Sequence, residues 1–520
     1  MVFSLIWMAT VLHRRRSRAR PPSPAAASLA AVKRHKIRNE FIPRPGATPV
    51  LAAEWGAAGY RGWSILASIL VMAYLFRQFL KNFKSHGQIF SLQGGSFLWR
   101  IFVSEMFEFA TVILLIYFFS FVAFGAERLK LKLPSKRRAI HATMHVVMVA
   151  FIVLVMVYIL ERRYAVSISF RFAVIAHAFV MYMKMVSYLG TNEFLFGLKP
   201  TTGGGKKGKT VGLVTESSRS EVNQMDLPAL TQALAHRGID VGAHLECLPG
   251  ASVEDKARNV LLDLVDLDEY RRTVYPKNVT LIKFIEFSCL PVLVYEPKYP
   301  RTRTIDWHNI VEKLLMIAGI IVVEWFLLEH FIVPSVRRLV IEADASYSVL
   351  EAMLDLTVPL QLFVVLNFYL VFECILGANA ELMRLGDKMT YADWWNATTF
   401  EEFSRKWNKP VHEFLLRHVH IELQNWLGVS RSTATIATFV YSIVAHEVIL
   451  LAMFGIFRPY LGFFSLFQIP LWYIMRSPLF QNRVLGNVVF WSCLTVAWPL
   501  MCVLYCREYC LQDPGNCKIY

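Results

Sequence analysis

Charged residues are scarce in this sequence. Only 18% of its 520 residues are charged, whereas 55% are hydrophobic, 14% are aromatic and the mean hydropathy is +0.41. This composition excludes an ordinary soluble protein, because a single core could not bury so much apolar surface in a chain of this length. It predicts an all-α, polytopic membrane protein.

Acidic residues are fewer than basic ones, 39 against 55, which gives a formal net charge of +16. Such an excess can indicate nucleic-acid binding, but here the basic residues flank apolar segments instead of lining a soluble face. Basic clusters in that position set membrane topology and contact anionic lipid. We therefore expect membrane lipid as a partner and no nucleic acid.

Cysteine is also sparse, with eight residues and no zinc-binding spacing. Cys510 and Cys517 lie in the polar tail, where a disulfide is expected if the tail faces an oxidising lumen. His141 and His145 are four residues apart, but two possible ligands without a third indicate packing and no metal site. Residues 203–210, GGGKKGKT, match a P-loop pattern without the preceding strand, so we interpret them as a flexible basic loop.

Long apolar runs define the membrane organisation. A helix needs about 20 largely apolar residues to cross a bilayer. Residues 1–60 form a basic arm, expected to be mostly disordered, and the positive-inside rule places it in the cytosol with the loops 125–138, 190–306 and 378–431. An odd number of spans then places the tail 507–520 in the lumen. The nine predicted spans are 61–80, 99–124, 139–160, 168–189, 307–332, 350–377, 432–453, 457–475 and 486–506.

Two ionisable residues, His446 and Glu447, lie at the middle of the predicted span 432–453. On a helix, His446 has one polar neighbour, Ser442, and Glu447 has none, so both need partners on other helices or a polar cavity. The pair indicates chemistry at bilayer depth. Alternatives are a buried packing pair, or a proton relay in a lipid transporter, although the internal repeats and paired broken helices of transporters are missing.

A cytosolic segment before this span, residues 388–420, combines tryptophans with charged residues. The tryptophans could form an interfacial belt that anchors the chain. Pro410 favours the first turn of a helix, so we predict a short helix that begins after Asn408 and runs to about Leu423. Asn408 is then either a helix cap or a side-chain donor, and His412 lies on the same face.

A neutral imidazole in a dry cavity can remove the proton of an alcohol that attacks an acyl carbonyl. The Asn408 amide could stabilise the oxyanion, and Arg405, Lys406 and Arg431 could bind the phosphates of an acyl donor. The sequence contains no serine nucleophile elbow, so direct transfer is favoured over an acyl-enzyme.

Several motifs resemble a known family. YADWWN at 391–396, WNKPVHEFLLRH at 407–418 and SIVAHE at 442–447 resemble the membrane-bound O-acyltransferases of the sterol and diacylglycerol branch, as does the segment 275–305. The resemblance covers most of residues 60–510. Thr390 replaces the aromatic residue that usually opens the FYxDWWN signature, so local packing should differ there.

The resemblance implies a nine-span enzyme of the endoplasmic reticulum, oligomeric, that esterifies a lipid hydroxyl with acyl-CoA as co-substrate and no other cofactor. It makes His446 and Asn408 the catalytic residues. The segment 464–491 looks most like fungal-type sterol O-acyltransferases, with diacylglycerol O-acyltransferase as the alternative. The substrate-binding residues that we infer are Arg405, Trp407, His412, Arg431, Ser442, Glu447, Tyr391, Asp393, Trp394, Trp395 and Asn396.

Overall fold

A computed structural model describes residues 105–197, 225–236, 275–340, 346–467 and 483–512, with a few isolated positions. The predicted basic arm, most of the span 61–80, the P-loop-like segment and Cys517 lie outside the described residues. The helices are α1 Met106–Lys132, α2 Arg137–Glu161, α3 Ile168–Gly197, α4 Leu227–His236, α5 Leu281–Cys289, α6 Trp307–Leu327, α7 Val333–Val340, α8 Val349–Phe368, α9 Leu376–Leu382, α10 Phe400–Trp407, α11 Lys409–Leu415, α12 Ile421–Leu427, α13 Arg431–Phe454, α14 Tyr460–Leu466 and α15 Arg483–Gln512.

Single wide π-helical turns join three pairs of these helices without breaking them. They are Leu328–Ile332 between α6 and α7, Tyr369–Ile375 between α8 and α9, and Leu416–His420 between α11 and α12. Such turns insert one extra residue into a helix and often occur near functional sites. Within the described ranges no β-sheet forms, and one isolated bridge pairs Arg301 with Leu385.

Six helical segments are long and apolar enough to cross a membrane. They correspond to six of the nine predicted spans, so the all-α, multi-pass architecture is confirmed for the part of the chain that the structure describes. Large side chains on them stay exposed, for example Phe107 at 84% and Phe118 at 77%, which suits contact with lipid tails. The six are Met106–Lys132, Pro134–Glu161, Ile168–Phe196, Val349–Leu382, Arg431–Phe454 and Val484–Gln512.

The other three predicted spans are not confirmed. Residues 307–332 are helical throughout but are not among the six segments. Of the range 457–475, the structure describes α14, whose seven residues are too few to cross a bilayer. The range 61–80 is described only at Phe76 and Leu80.

Several helices extend beyond their predicted ends, because polar residues near those ends have buried partners. In α1, Lys130 contacts Glu127 at 2.6 Å and Glu193 of α3 at 3.4 Å, and Arg137 contacts Glu193 at 3.0 Å. The predicted loop 125–138 is therefore mostly helical. Similarly, α3 continues past 190 into the predicted loop 190–306, and α15 continues past 506 into the predicted tail.

The same cluster of charged residues provides a hydrogen-bond partner for one of the two histidines, His141. His141 Nδ1 lies 2.9 Å from Lys130 Nζ, and its ring packs against His145 at a centroid distance of 4.9 Å. Since an ammonium can only donate, His141 Nδ1 accepts this bond. At the other end of the chain, Cys510 is disulfide-bonded and its partner lies outside the described residues.

One hydrophobic core joins α1, α2 and α3 to α5, to the helix after Asn408 and to α13. It includes Met148 and Val174 from the spans, Phe414 and Leu423 from α11 and α12, and Ala434 from α13. This shared core places the helix that Asn408 begins against the helix that carries His446.

Candidate active site

His446 lies in the membrane-spanning helix α13 and its side chain is exposed. Its Nδ1 lies 2.7 Å from the carbonyl oxygen of Ser442, one turn earlier. A carbonyl oxygen can only accept a hydrogen bond, so Nδ1 carries the proton. In a neutral ring this tautomer places the lone pair on Nε2, which is the atom that a histidine general base uses.

Glu447, the neighbour of His446, has found the partners on other helices that its position requires. Its Oε1 accepts a hydrogen bond from the backbone N–H of Gly462, and Tyr505 Oη lies 3.5 Å from its Oε2. A methyl group at position 462 would lie 3.2 Å from that carboxylate oxygen. Glu447 thus connects α13 to α14 and α15, and its described contacts are with the protein itself.

The signature segment Tyr391–Asn396 is held against the end of α10 by main-chain hydrogen bonds. Ala392 N–H donates to the Lys406 carbonyl at 2.9 Å, and Lys409 N–H donates to the Thr390 carbonyl at 3.0 Å. Lys406 and Lys409, which make these two bonds, flank Trp407 and Asn408 in the sequence and so enclose them. The position of Asn408 consequently depends on the position of the signature segment.

Aromatic packing fixes the signature segment against neighbouring helices. Trp394 is 4% exposed, and its ring centroid lies 4.6 Å from that of Trp407 and 5.1 Å from that of Phe368 in α8. The Trp395 carbonyl accepts hydrogen bonds from Asn487 Nδ2 at 2.9 Å and Trp491 Nε1 at 3.1 Å. The first two tryptophans of the signature therefore join α8, α10 and α15, whereas the alternative of an interfacial belt requires rings at the surface.

Two of the remaining signature residues, Tyr391 and Asp393, have polar partners. Tyr391 is 1% exposed, and its hydroxyl donates to Glu373 Oε2 at 2.7 Å. Asp393 forms an ion pair with Lys406 at 3.0 Å. Asn396 ends the single turn Trp394–Asn396. The contacts of Tyr391 and Asp393 hold the segment in place.

Asn408 caps the predicted helix. Its Oδ1 accepts a hydrogen bond from Val411 N–H at 3.2 Å, and Pro410 occupies the first turn. The predicted helix is confirmed, and it continues through a π turn to Leu427. Since capping uses only the amide oxygen, the Nδ2 group of Asn408 can still donate to another acceptor.

The π turn after α11 is tied to other parts of the chain. His418 Nε2 lies 2.8 Å from Ser187 Oγ in α3, and Arg417 forms an ion pair with Glu296 at 2.9 Å. Both side chains are 7% exposed. The sequence analysis did not select either residue, because a π turn has no sequence pattern that distinguishes it from an ordinary helix.

Two titratable groups follow Asn408 on α11. Burial lowers the pKa of His412, and the nearby Arg405 and His420 lower it further, so His412 is neutral near pH 7. Burial raises the pKa of Glu413 to about 7, although Arg417 and Lys409 oppose the shift. Neither of these two side chains is therefore fully charged at pH 7.

The cations expected to bind phosphate differ in availability. Arg405 contacts Glu401 at 3.4 Å across an exposed helix surface, where such pairs are weak. Arg431 is exposed as the first residue of α13. Lys406 is engaged by both Asp393 and Glu402, the latter at 2.7 Å. Arg405 and Arg431 are thus the more available of the three.

The site residues form two groups. Tyr391 through Asn408 form one continuous cluster, while Ser442, His446 and Glu447 lie on α13. The helix that begins after Asn408 shares a hydrophobic core with α13, whereas the aromatic residues of the signature belong to a separate cluster. Among the described side chains no hydrogen bond links Asn408 to His446. The sequence analysis did not select Lys313 and Glu373, which form a buried ion pair. A charged residue within an apolar helix is the signal that could have identified each of them.

Comparison with known proteins bears on this arrangement. Residues 262–507 match the model of the membrane-bound O-acyltransferase family. Sterol O-acyltransferase 2 of Saccharomyces cerevisiae is 35% identical over 240 residues, which are 44% of this chain and 37% of the relative. Sterol O-acyltransferase 2 of Candida albicans is 30% identical over 347 residues, 64% of this chain and 56% of the relative.

A plant protein is also similar. Diacylglycerol O-acyltransferase 1A of Glycine max is 33% identical over 237 residues, 44% of this chain and 47% of the relative. The chain spans about half the length, or less, of these relatives. The matched region 262–507 contains the signature segment, Asn408 and His446, so the resemblance inferred from the motifs is confirmed. Residues 262–507 of this chain are thus those of a membrane-bound O-acyltransferase family domain.

Proposed function

We propose that this protein transfers the acyl group of acyl-CoA to the hydroxyl of a sterol and so forms a sterol ester. The observation that carries the proposal is the contact between His446 Nδ1 and the Ser442 carbonyl, because it leaves Nε2 free to accept a proton. The sterol O-acyltransferases of two yeasts, which match at 30% to 35% identity, support the sterol as acceptor.

The reaction needs one base and one oxyanion donor. His446 Nε2 removes the hydroxyl proton as the sterol oxygen attacks the thioester carbonyl carbon. The Asn408 Nδ2 group donates to the developing oxyanion, for which its geometry is suited because Oδ1 is engaged in the cap. When the C–S bond breaks, the thiolate of CoA takes the proton from His446, which restores the neutral imidazole.

The acyl donor carries phosphates, and these require cations outside the bilayer. Arg405 and Arg431 supply them in our proposal, since one is weakly paired and the other is exposed. Tyr391, Asp393, Trp394, Trp395 and Asn396 shape the wall that holds Trp407 and Asn408 near the donor. We further propose that His412 and Ser442 line the path to the reacting atoms, and that no cofactor beyond acyl-CoA takes part.

The cellular setting follows from the same chemistry. Acyl-CoA is a cytosolic compound and the sterol dissolves in the bilayer, so the two substrates meet from different sides. We propose a multi-pass protein of the endoplasmic reticulum membrane, with residues 378–431 in the cytosol, that works as a dimer or higher oligomer. The six helical segments that are long and apolar enough to cross a membrane support the multi-pass part of this proposal.

A second acceptor is favoured by one observation. The similarity to diacylglycerol O-acyltransferase 1A of Glycine max, at 33% identity, supports diacylglycerol as the alternative alcohol. His446 and Asn408 would act on either alcohol in the same way, because the chemistry at the hydroxyl is identical. The choice between the two depends on the shape of the acceptor pocket.

A competition assay tests the proposal. Purified protein receives one labelled acyl-CoA together with equal amounts of a sterol and a diacylglycerol, and the labelled products are separated. Sterol ester as the main product supports our assignment. Triacylglycerol as the main product would replace the sterol with diacylglycerol, and the absence of both esters would reject acyl transfer to a lipid alcohol.

A further inference from the structure

A buried ion pair lies beneath the signature segment. Lys313 Nζ of α6 contacts Glu373 Oε1 at 2.8 Å, and it also donates to the Glu373 carbonyl oxygen at 3.0 Å. The two side chains are 8% and 3% exposed. Burying two opposite charges is often no more favourable than burying two apolar side chains, so stability alone does not account for the pair.

The second oxygen of Glu373 binds the signature. Tyr391 donates its hydroxyl hydrogen to Glu373 Oε2 at 2.7 Å. Lys313, Glu373 and Tyr391 therefore form a chain of two charge-assisted hydrogen bonds across three segments: α6, the π turn between α8 and α9, and the signature. Charge-assisted hydrogen bonds are shorter and stronger than hydrogen bonds between neutral groups, so these two bonds restrict the position of Tyr391.

The local backbone accommodates this chain. A methyl group at Gly377 would lie 3.1 Å from both Cε and Nζ of Lys313, which is closer than an ordinary contact. Because Gly377 has no side chain, the Lys313 side chain has room to pass it and reach Glu373. Glu373 lies within the π turn Tyr369–Ile375. Tyr391 then packs edge-on against Phe368 with ring centroids 5.0 Å apart, which orients its hydroxyl towards Glu373.

Tyr391 connects this chain to Asn408. The residues on either side of Tyr391 make the two main-chain bonds to Lys406 and Lys409 that enclose Asn408. We propose that Lys313 and Glu373 are positioning residues, which hold the signature segment through Tyr391 and so fix where the Asn408 amide lies during acyl transfer. This inference rests on the proposed function, but its structural part can be tested without any activity.

The structural test is hydrogen exchange in the purified full-length protein. Tyr391→Phe removes the hydroxyl while it keeps the ring, so the fold should persist and the amides of Ala392 and Lys409 should exchange faster. Tyr347→Phe is the matched control, because the Tyr347 hydroxyl also donates to a carboxylate, Asp355 Oδ2, at 2.7 Å and is distant in sequence from the signature. Equal exchange of these two amides in both variants would overturn the proposal.

The kinetic test separates positioning from folding. Per mole of folded protein, Tyr391→Phe should lower kcat about tenfold with a smaller change in the KM for acyl-CoA, as expected for a small displacement of a catalytic group. Tyr347→Phe should retain the wild-type kcat. An unchanged kcat in Tyr391→Phe would reject the role, because a purely structural residue would change only the amount of folded protein.

A rescue pair completes the experiment. Glu373→Gln keeps an acceptor for Tyr391 but leaves the Lys313 charge unpaired, so kcat should fall. Adding Lys313→Met removes that charge, so the yield of folded protein should recover, while kcat should stay low because neither charge-assisted bond remains. A double variant with the wild-type kcat contradicts the proposal. If wild-type protein forms no ester, the proposed function fails, while the hydrogen-exchange result still decides whether this chain holds the signature.

Discussion

Replacing Asn408 by aspartate separates the two roles that its side chain can play. The Asn408 oxygen caps α11 through Val411 N–H at 3.2 Å, and its nitrogen is the oxyanion donor in our proposal. Aspartate and asparagine are about equally good caps, so Asn408→Asp should keep the stability of the protein. Aspartate has no N–H group, so the same variant should lose the donor.

The two effects differ in size. Loss of one oxyanion donor costs about 3 kcal/mol of transition-state stabilisation, or roughly 10²- to 10³-fold in kcat. Loss of a cap costs about 1 kcal/mol of folding stability. Asn408→Ala should therefore lose both, whereas Asn408→Asp should lose roughly 10²-fold or more in kcat and almost nothing in stability.

The assay measures initial rates with labelled acyl-CoA and a sterol, alongside thermal unfolding of the same preparations in detergent. The control is Asn408→Ala, which should unfold at a lower temperature than Asn408→Asp. If Asn408→Asp forms ester at a rate close to wild type, Asn408 does not act as a donor. If both variants lose activity only in proportion to folded protein, Asn408 acts as a cap alone.

Three further predictions concern stability. Glu447→Ala should lower the unfolding free energy by about 1 to 3 kcal/mol, because the Gly462 N–H loses its acceptor. Glu447→Gln should lower it less. Unchanged thermal unfolding in the alanine variant would contradict this prediction. Lys184→Met should destabilise the protein by about 3 kcal/mol, because Lys184 Nζ donates to three carbonyls at the end of α5. If this variant and the wild type have the same melting temperature, Lys184 does not stabilise the end of α5. Because burial raises the pKa of Glu413 to about 7, the folded state keeps a proton that the unfolded state releases, so stability falls as the pH rises from about 5 to 8. Glu413→Gln should raise the melting temperature at pH 8 more than at pH 5, and equal changes would refute the shift.

Span positions could be predicted from the sequence because apolar runs of sufficient length have few alternatives. Span ends could not, because they depend on pairing between segments. In the sequence, Lys130 and Glu193 resemble loop residues because they are charged. In the structure, Glu127 and Arg137 neutralise them inside the helix bundle. Partners that lie far apart in the chain leave no trace in a local hydropathy pattern.

The helix after Asn408 was predictable because Pro410 and a capping residue mark a helix start. The partners of Glu447 were not, although the need for them was, because Gly462 and Tyr505 belong to other helices. Trp394 shows a third case. Its amphipathic ring suits both a membrane interface and a protein core, and only the packing against Phe368 and Trp407 distinguishes the two.

The most direct test of the account compares wild type with His446→Ala in membranes that contain matched amounts of folded protein. The His446 side chain is exposed and its contact is within its own helix, so the variant should fold normally. With labelled acyl-CoA and a sterol, we predict ester from the wild type and roughly 10²- to 10⁴-fold less from the variant, the loss expected for a general base. Sterol ester formation at the wild-type rate by His446→Ala would contradict the account.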